Sequence, residues 1–355
     1  MQLSSPKASQ KSITSPPHSH LRASASPQPS SSKHSSYYFH HIMEFTDKAI
    51  GVDFGGTSIK FGVVLGKQII AEAPAILPKD YPRPSELIQA IADTCLSLME
   101  KHKDIKAIGC GVPGFVDTPT GRIHNLTNVP GWIDIPLQDL LSEKTGLPCI
   151  VENDANAMGV AEWKLGAGAG YQHLICLTLG TGVGGAVIVN NQIVRGSQFV
   201  AGELGQTSIH YNGRVGAYNN PGALEDYIGN NEFAADAQRA YFEAGIEKHI
   251  DDCTPAALDA AATAGCSVAL ACWDDFARKL ACTLANCCWL LNPEAFVIGG
   301  GISKAGKTLF EPLRKHVDSQ LSAPFRDHLR ILPAKFSNEA GIIGCAVLAL
   351  ETADV

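Results

Sequence analysis

Ala49-Ile50-Gly51-Val52-Asp53-Phe54-Gly55-Gly56-Thr57-Ser58-Ile59-Lys60-Phe61-Gly62-Val63-Val64 is an apolar, β-rich run, a short Gly/Thr turn and a second apolar run. The pattern returns in Ile175-Cys176-Leu177-Thr178-Leu179-Gly180-Thr181-Gly182-Val183-Gly184-Gly185-Ala186-Val187-Ile188-Val189. Each copy reads as a tight β-hairpin whose turn is stripped of side chains. Such a turn lets backbone N–H groups surround an anion, and a threonine hydroxyl adds a donor. Two of them facing each other would grip a polyphosphate from both sides. Neither carries G-x-x-x-x-G-K-[ST], and neither opens a helix as a dinucleotide fingerprint does. For one copy alone, an ordinary hairpin explains the glycines equally well. Two copies about 125 residues apart point to a duplicated supersecondary unit and so to a duplicated domain.

Outward from the first hairpin the order is regular. Strands are expected near 48–54, 59–65 and 68–75, then a helix over Pro84–Lys103 with Leu87, Ile91, Cys95, Leu98 and Met99 on one face. A buried strand over Ala107–Val112 leads into a long polar loop, 114–132, and a short amphipathic helix, Ile135–Thr145. Cys149-Ile150-Val151 reads as a strand, with a helix from about Ala155 to Gly166. The second half repeats the logic: strands from His173 to Val194, helices from Leu224 to about Gly245, and a long helix over Cys266–Leu291. The strand Phe296-Val297-Ile298 and a terminal helix, Gly341–Glu351, follow. Hairpins followed by helices, twice, give an α/β protein of two similar domains. Ligands in such folds collect at the carboxyl ends of strands and between domains.

Composition narrows the partners. Of the 355 residues 45% are hydrophobic, enough for sizeable cores, and the net charge of −7 argues against a nucleic-acid surface. No apolar stretch is long enough to span a bilayer. The eleven cysteines show no disulfide framework and no C-x-x-C. Cys110, Cys176, Cys272, Cys282, Cys287, Cys288 and Cys345 sit in apolar runs and read as small buried hydrophobes in a reducing cytosol. Residues 1–42 are rich in Ser, Pro, His and Lys and nearly free of aliphatic residues, so this stretch is expected to be disordered. A start at Met43 and a transit peptide are two further readings of it.

Three strand ends carry the chemistry. Asp53 closes the first strand beside a glycine turn, where an acid is placed to hold Mg²⁺ through water, although Asp is also an ordinary turn residue. Glu152-Asn153-Asp154-Ala155-Asn156 lies at a strand-to-helix junction. One N-cap explains part of that polarity, but four polar residues in six positions exceed a cap's needs. Asn153 and Asp154 are suited to hold sugar hydroxyls, and Asp154 to take a proton from an attacking hydroxyl. Gly299-Gly300-Gly301 suits either a tight turn or close approach to a flat ligand such as adenosine.

These motifs, with Gly111-Val112-Pro113-Gly114, Asn128-Val129-Pro130-Gly131-Trp132, Gly202-Glu203-Leu204-Gly205 and Asn292-Pro293-Glu294, run in order over roughly residues 48–350. In them the chain resembles the ROK family of sugar kinases, within the actin/hexokinase/Hsp70 superfamily. The resemblance implies two ribonuclease-H-like domains with the active site in the cleft between them. Their expected bounds are 48–152, joined by the C-terminal helix 341–355, and 153–340, after an extension over 1–47. It also implies roles. Asp154 matches the catalytic base, and Asn153, Gly114, Asn128, Glu203 and Glu225 match sugar ligands, with Gln206 placed beside them. Gly55, Gly56, Thr57 and Lys60, and Gly180, Thr181 and Gly182, match the two phosphate loops. Gly300 and Gly301 match the adenine end.

One motif departs from the family. The structural zinc is usually held by a His and three Cys, and here those places carry Gln206, Gly216, Tyr218 and Ala223, none of them a zinc ligand. No zinc is expected, and the loop has to be held by packing and hydrogen bonds. The expected activity is ATP- and Mg²⁺-dependent phosphorylation of glucose to glucose 6-phosphate in the cytoplasm by a homodimer. N-acetylhexosamine, mannose, allose or fructose, and polyphosphate in place of ATP, are the alternatives within the class. A non-enzymatic sugar-responsive regulator is the alternative outside it.

Overall fold

The two hairpins seed two sheets of the same design. In the computed structural model, which describes residues 46–126, 129 and 131–353, the first sheet begins with β1 (Lys48–Phe54), β2 (Ile59–Leu65) and β3 (Gln68–Ile76). Helix α1 (Pro84–Lys101) buries Leu87, Ile88, Ile91, Ala92, Cys95 and Leu98, the 3.6-residue stripe expected of a helix covering a sheet. β4 (Ile105–Val112) follows, then the small strands β5 (Phe115–Asp117), β6 (Arg122–Asn125) and β7 (Ile133–Pro136), helix α2 (Leu137–Thr145), β8 (Cys149–Asn153) and helix α3 (Asp154–Lys164). The second half runs β9 (Leu174–Leu179), β10 (Val183–Val189), β11 (Gln192–Ile193), α4 (Glu225–Ile228), α5 (Asn230–Glu243), α6 (Pro255–Thr263), α7 (Ser267–Leu291) and β12 (Ala295–Gly299). It closes with α8 (Lys307–Gln320), α9 (Ala323–Arg326), β13 (Arg330–Pro333) and α10 (Ala340–Ala353).

The sheet orders are β3-β2-β1-β4-β8 and β11-β10-β9-β12-β13. In both, the hairpin strands pair antiparallel and the two later strands add in parallel. Each glycine turn therefore sits at the carboxyl end of a central strand. One core gathers around α1 and the first sheet, a second around α5, α7 and the second sheet. Between the sheets run α3, packed on β9 and β10, and α10, packed on β1, β2 and β4, and the two helices pack closely on each other. A Cβ at Gly344 would overlap the carbonyl oxygen of Ala157, so the α3–α10 crossing is backbone on backbone.

Several expectations change. The stretch 114–132 is not simply a polar loop: β5 and β6 lie in it and pair with β7 in a third, three-stranded sheet. Ile135 accordingly belongs to β7, and α2 starts at Leu137. The helices expected from Leu224 to about Gly245 are present as α4 and α5, separated at Gly229. All eleven cysteines are free, but Cys272 and Cys282, read as buried, are partly exposed, as is Cys266. Among the described residues no helix is long and apolar enough to cross a membrane. Of the extension expected over 1–47, residues 1–45 lie outside the described residues.

Candidate active site

Asp154 is the first residue of α3, immediately after β8 in the first sheet. Asn153 caps that helix, its side-chain oxygen accepting the Asn156 N–H at 3.1 Å. Its amide Nδ2 donates to the Gly114 carbonyl at 3.2 Å, which leaves one amide hydrogen free for a ligand. Gly114 has φ +134°, and a Cβ there would lie 2.5 Å from the Asn125 carbonyl oxygen, so β6 itself demands glycine. Capping α3 therefore does not use up the Asn153 amide. Asn128 lies outside the described residues.

Asp154 Oδ1 accepts the Ala155 N–H at 2.8 Å. Burial pushes its carboxyl up to about 7, against that bond, and the nearby carboxylates of Asp53 and Glu203 push the same way. These neighbours come from opposite halves of the chain, Asp53 from β1 and Glu203 from the loop after β11. Ala155 is also close to the second hairpin: a Cβ at Gly184, in β10, would lie 3.0 Å from the Ala155 Cβ. The β8–α3 junction that carries Asp154 is therefore approached by both hairpins, through Asp53 of β1 and Gly184 of β10.

The first turn spans 55–58. Gly55 N–H donates to the Ser58 carbonyl at 3.0 Å, and Thr57 is exposed at the tip. Asp53 pairs in register with Lys60, whose Nζ lies 3.8 Å from Oδ2. Burial raises the Asp53 carboxyl and Lys60 opposes the shift. The start of α10 abuts this acid: a Cβ at Gly341 would lie 2.8 Å from the Asp53 carboxyl carbon.

The second turn spans 180–182. Gly180 N–H donates to the Gly182 carbonyl at 3.0 Å, and the Asn230 N–H, at the start of α5, donates to the Gly180 carbonyl at 3.0 Å. Thr181 is exposed. Glu225 holds the far side of the turn. Its Oε2 accepts the Val183 N–H at 2.8 Å, and its Oε1 accepts Gln206 Nε2 at 3.2 Å. Glu203 opens to solvent just before Gln206. Partial withdrawal from water raises its carboxyl, and the Glu225 carboxylate adds to the shift. Glu203, Gln206 and Glu225 therefore form one group, and the charge of Glu203 reaches Asp154.

Gly300 has φ +84°, and a Cβ there would overlap the Leu179 backbone, so the end of β9 requires this glycine. Gly301 faces open space and is the one of the pair free to meet a ligand. The loop that departs from the zinc motif is tied by its own backbone. Ile209 N–H bonds the Gly222 carbonyl at 2.8 Å and Leu224 N–H the Thr207 carbonyl at 3.0 Å. Asn220 Nδ2 bonds the Gln206 carbonyl at 2.7 Å, and Arg214 reaches the Asp226 carbonyl and the Asp236 carboxylate. Among the described residues no group of three or more His, Cys, Asp or Glu is placed to hold a metal ion.

Two polar residues near the site went unread in the sequence. Glu162, buried in α3, accepts backbone N–H groups from Ala167, Lys335 and Phe336, which fixes the approach to α10. Arg195, after β11, pairs with the buried Glu152, its Nη2 lying 2.7 Å from Oε2. The polarity of Glu152-Asn153-Asp154 was the only available signal for the second, since it exceeds what one cap consumes.

The ROK family profile matches residues 49–352. A glucokinase from Halalkalibacterium halodurans is 35% identical over 306 residues, 83% of this chain and 92% of the relative. A glucokinase from Streptomyces coelicolor is 34% identical over 315 residues, 85% of this chain and 97% of the relative. The crystal structure of a ROK family glucokinase from Streptomyces griseus in complex with glucose and AMPPNP superposes with a TM-score of 0.72 at 31% identity, covering 86% of this chain and 99% of that one. On the fold, the order of its motifs and these likenesses, the chain belongs to the ROK family.

Proposed function

We propose that the chain transfers the γ-phosphoryl group of ATP to the 6-hydroxyl of glucose, with Asp154 as the general base. The observation that carries this reading is the position of Asp154 at the β8–α3 junction, where the charge of Asp53 from the first hairpin reaches it, β10 of the second hairpin approaches its neighbour Ala155, and burial raises its carboxyl to about 7. The glucokinase relatives, and the glucose and AMPPNP held by a neighbouring structure, support the choice of sugar and donor.

The chemistry needs little beyond placement and charge. Glu203, with Gln206 and Glu225 behind it and the free amide hydrogen of Asn153, orients the hexose by its hydroxyls. Asp154 accepts the proton of the attacking hydroxyl as its oxygen bonds to the γ-phosphorus. The bond to the bridging oxygen breaks, and ADP leaves with the electron pair. The backbone N–H groups of residues 56–58 and 181–182, with Lys60, Thr57 and Thr181, bind the phosphates, and the open face at Gly301 takes the nucleoside. Asp53 fits magnesium held through water: it offers hard carboxylate oxygens, and burial has raised it in a way a divalent cation would reverse. When bound, magnesium neutralises charge on the β- and γ-phosphate oxygens.

A coupled ADP-release assay across hexoses tests the reading, with ATP and polyphosphate compared as donors. Glucose with ATP is expected to give the highest kcat/KM. Turnover of no hexose with either donor would overturn it.

A further inference from the structure

Glu152 is buried and fully engaged. Its Oε1 accepts the Asn153 N–H at 3.0 Å and Asn156 Nδ2 at 3.1 Å, so one oxygen braces the junction that carries Asp154. Its Oε2 accepts Arg195 Nε at 2.9 Å and Nη2 at 2.7 Å. The acid ends the first sheet, whereas Arg195 comes from the second half, just past β11. There the Arg195 carbonyl accepts the Ala201 N–H at 2.9 Å, closing the turn that delivers Gly202 and Glu203. One side chain thus runs from the loop of Glu203 to the strand end of Asp154. A buried ion pair adds little net stability compared with apolar residues of similar shape. What it supplies is geometry, because the planar guanidinium fork fixes both distance and direction.

We propose that Glu152 and Arg195 form a positioning pair that holds the Glu203 loop in register with Asp154, so that the hexose is gripped where the base can reach it. The inference rests on the sugar-kinase reading above. It separates the two substrates. The donor turns are fastened by other contacts, Gly55 to Ser58 and Val183 to Glu225, and stay in place when Arg195 is lost. The acceptor side loses its tether.

The test uses the full chain with Arg195→Met, Arg195→Lys, Glu152→Gln and the double variant Glu152→Gln/Arg195→Met. The last removes both charges and guards against misfolding from a single unpaired one. Steady-state constants are taken per folded protein, and hydrogen exchange of residues 194–203 is followed without ligand. Arg195→Met is expected to raise the glucose KM at least tenfold, to leave the ATP KM within twofold, and to speed exchange of 194–203 at least tenfold. Arg195→Lys is expected to recover part of both effects. The double variant is expected to cost no more than the worse single one, since the pair acts as a unit. Unchanged exchange in Arg195→Met would overturn the proposal whatever the substrate. So would an equal rise of both KM values, or a loss accounted for entirely by a smaller folded fraction. If the wild-type chain turns over no hexose but exchange still rises, the sugar-kinase reading fails and the tether stands.

Discussion

Asp154 has to be ionised to accept a proton, and its surroundings favour the neutral form. With the carboxyl near 7, kcat/KM is expected to fall below about pH 7 with an acid limb set by this group, measured at saturating donor. Asp154→Asn is expected to cut turnover by about 10²–10⁴-fold while the protein still binds hexose in calorimetry. The same substitution should stabilise the fold. The carboxyl titrates near 3.8 when unfolded and near 7 when folded, so wild type loses stability as pH rises from about 4 to 7. The variant has no such group. Its melting temperature is expected to exceed that of wild type by several degrees at pH 8, with the gap closing near pH 4. A variant no more stable at pH 8 would argue against the raised value. Asp154 was legible because it stood in a polar cluster after an apolar strand. Glu162 and Arg195 were not, since each is one polar residue whose partner is distant in the chain: Glu162 meets Lys335, 173 positions away. No local pattern records such a contact.

At the scale of elements, the α3–α10 crossing is the joint most sensitive to one added methyl group. Gly344→Ala would press a Cβ into the Ala157 carbonyl, and neither helix backbone yields cheaply. A loss of about 1–3 kcal/mol is expected, read as a lower midpoint in urea. The loop over 206–225 makes a second case. Its ties are backbone bonds and the Arg214–Asp236 pair, so a chelator is expected to leave the melting temperature unchanged in the absence of nucleotide. About one zinc per chain by elemental analysis would refute this. Long periodic elements such as α1 and α7 were legible to within a few residues. The sheet of β5, β6 and β7 was not, because its strands are three or four residues long and too short for alternation to register. The duplication was visible from the glycine turns alone, whereas β13 was missed because Arg330–Pro333 has only four residues, opens on an arginine and ends in proline.

For the whole molecule, the two sheets meet through two helices, and groups from both surround Asp154. Hexose binding is expected to draw the halves together, excluding water that would otherwise accept the phosphoryl group. Small-angle scattering should show a smaller radius of gyration with glucose, and an unchanged profile at saturation would oppose closure. Glu225 bears on the same event. One of its oxygens holds the Gln206 amide on the acceptor side, and the other holds the Val183 N–H at the mouth of the second donor turn. A single carboxylate thus joins Gln206, on the proposed acceptor side, to the proposed donor turn. Whatever hexose does to the tilt of that carboxylate is felt by the phosphates, and the converse holds with the same free energy. On the proposed roles each substrate is expected to act as an effector of the other, so that the factor by which glucose tightens a non-hydrolysable nucleotide, read by calorimetry, equals the factor by which the nucleotide tightens glucose.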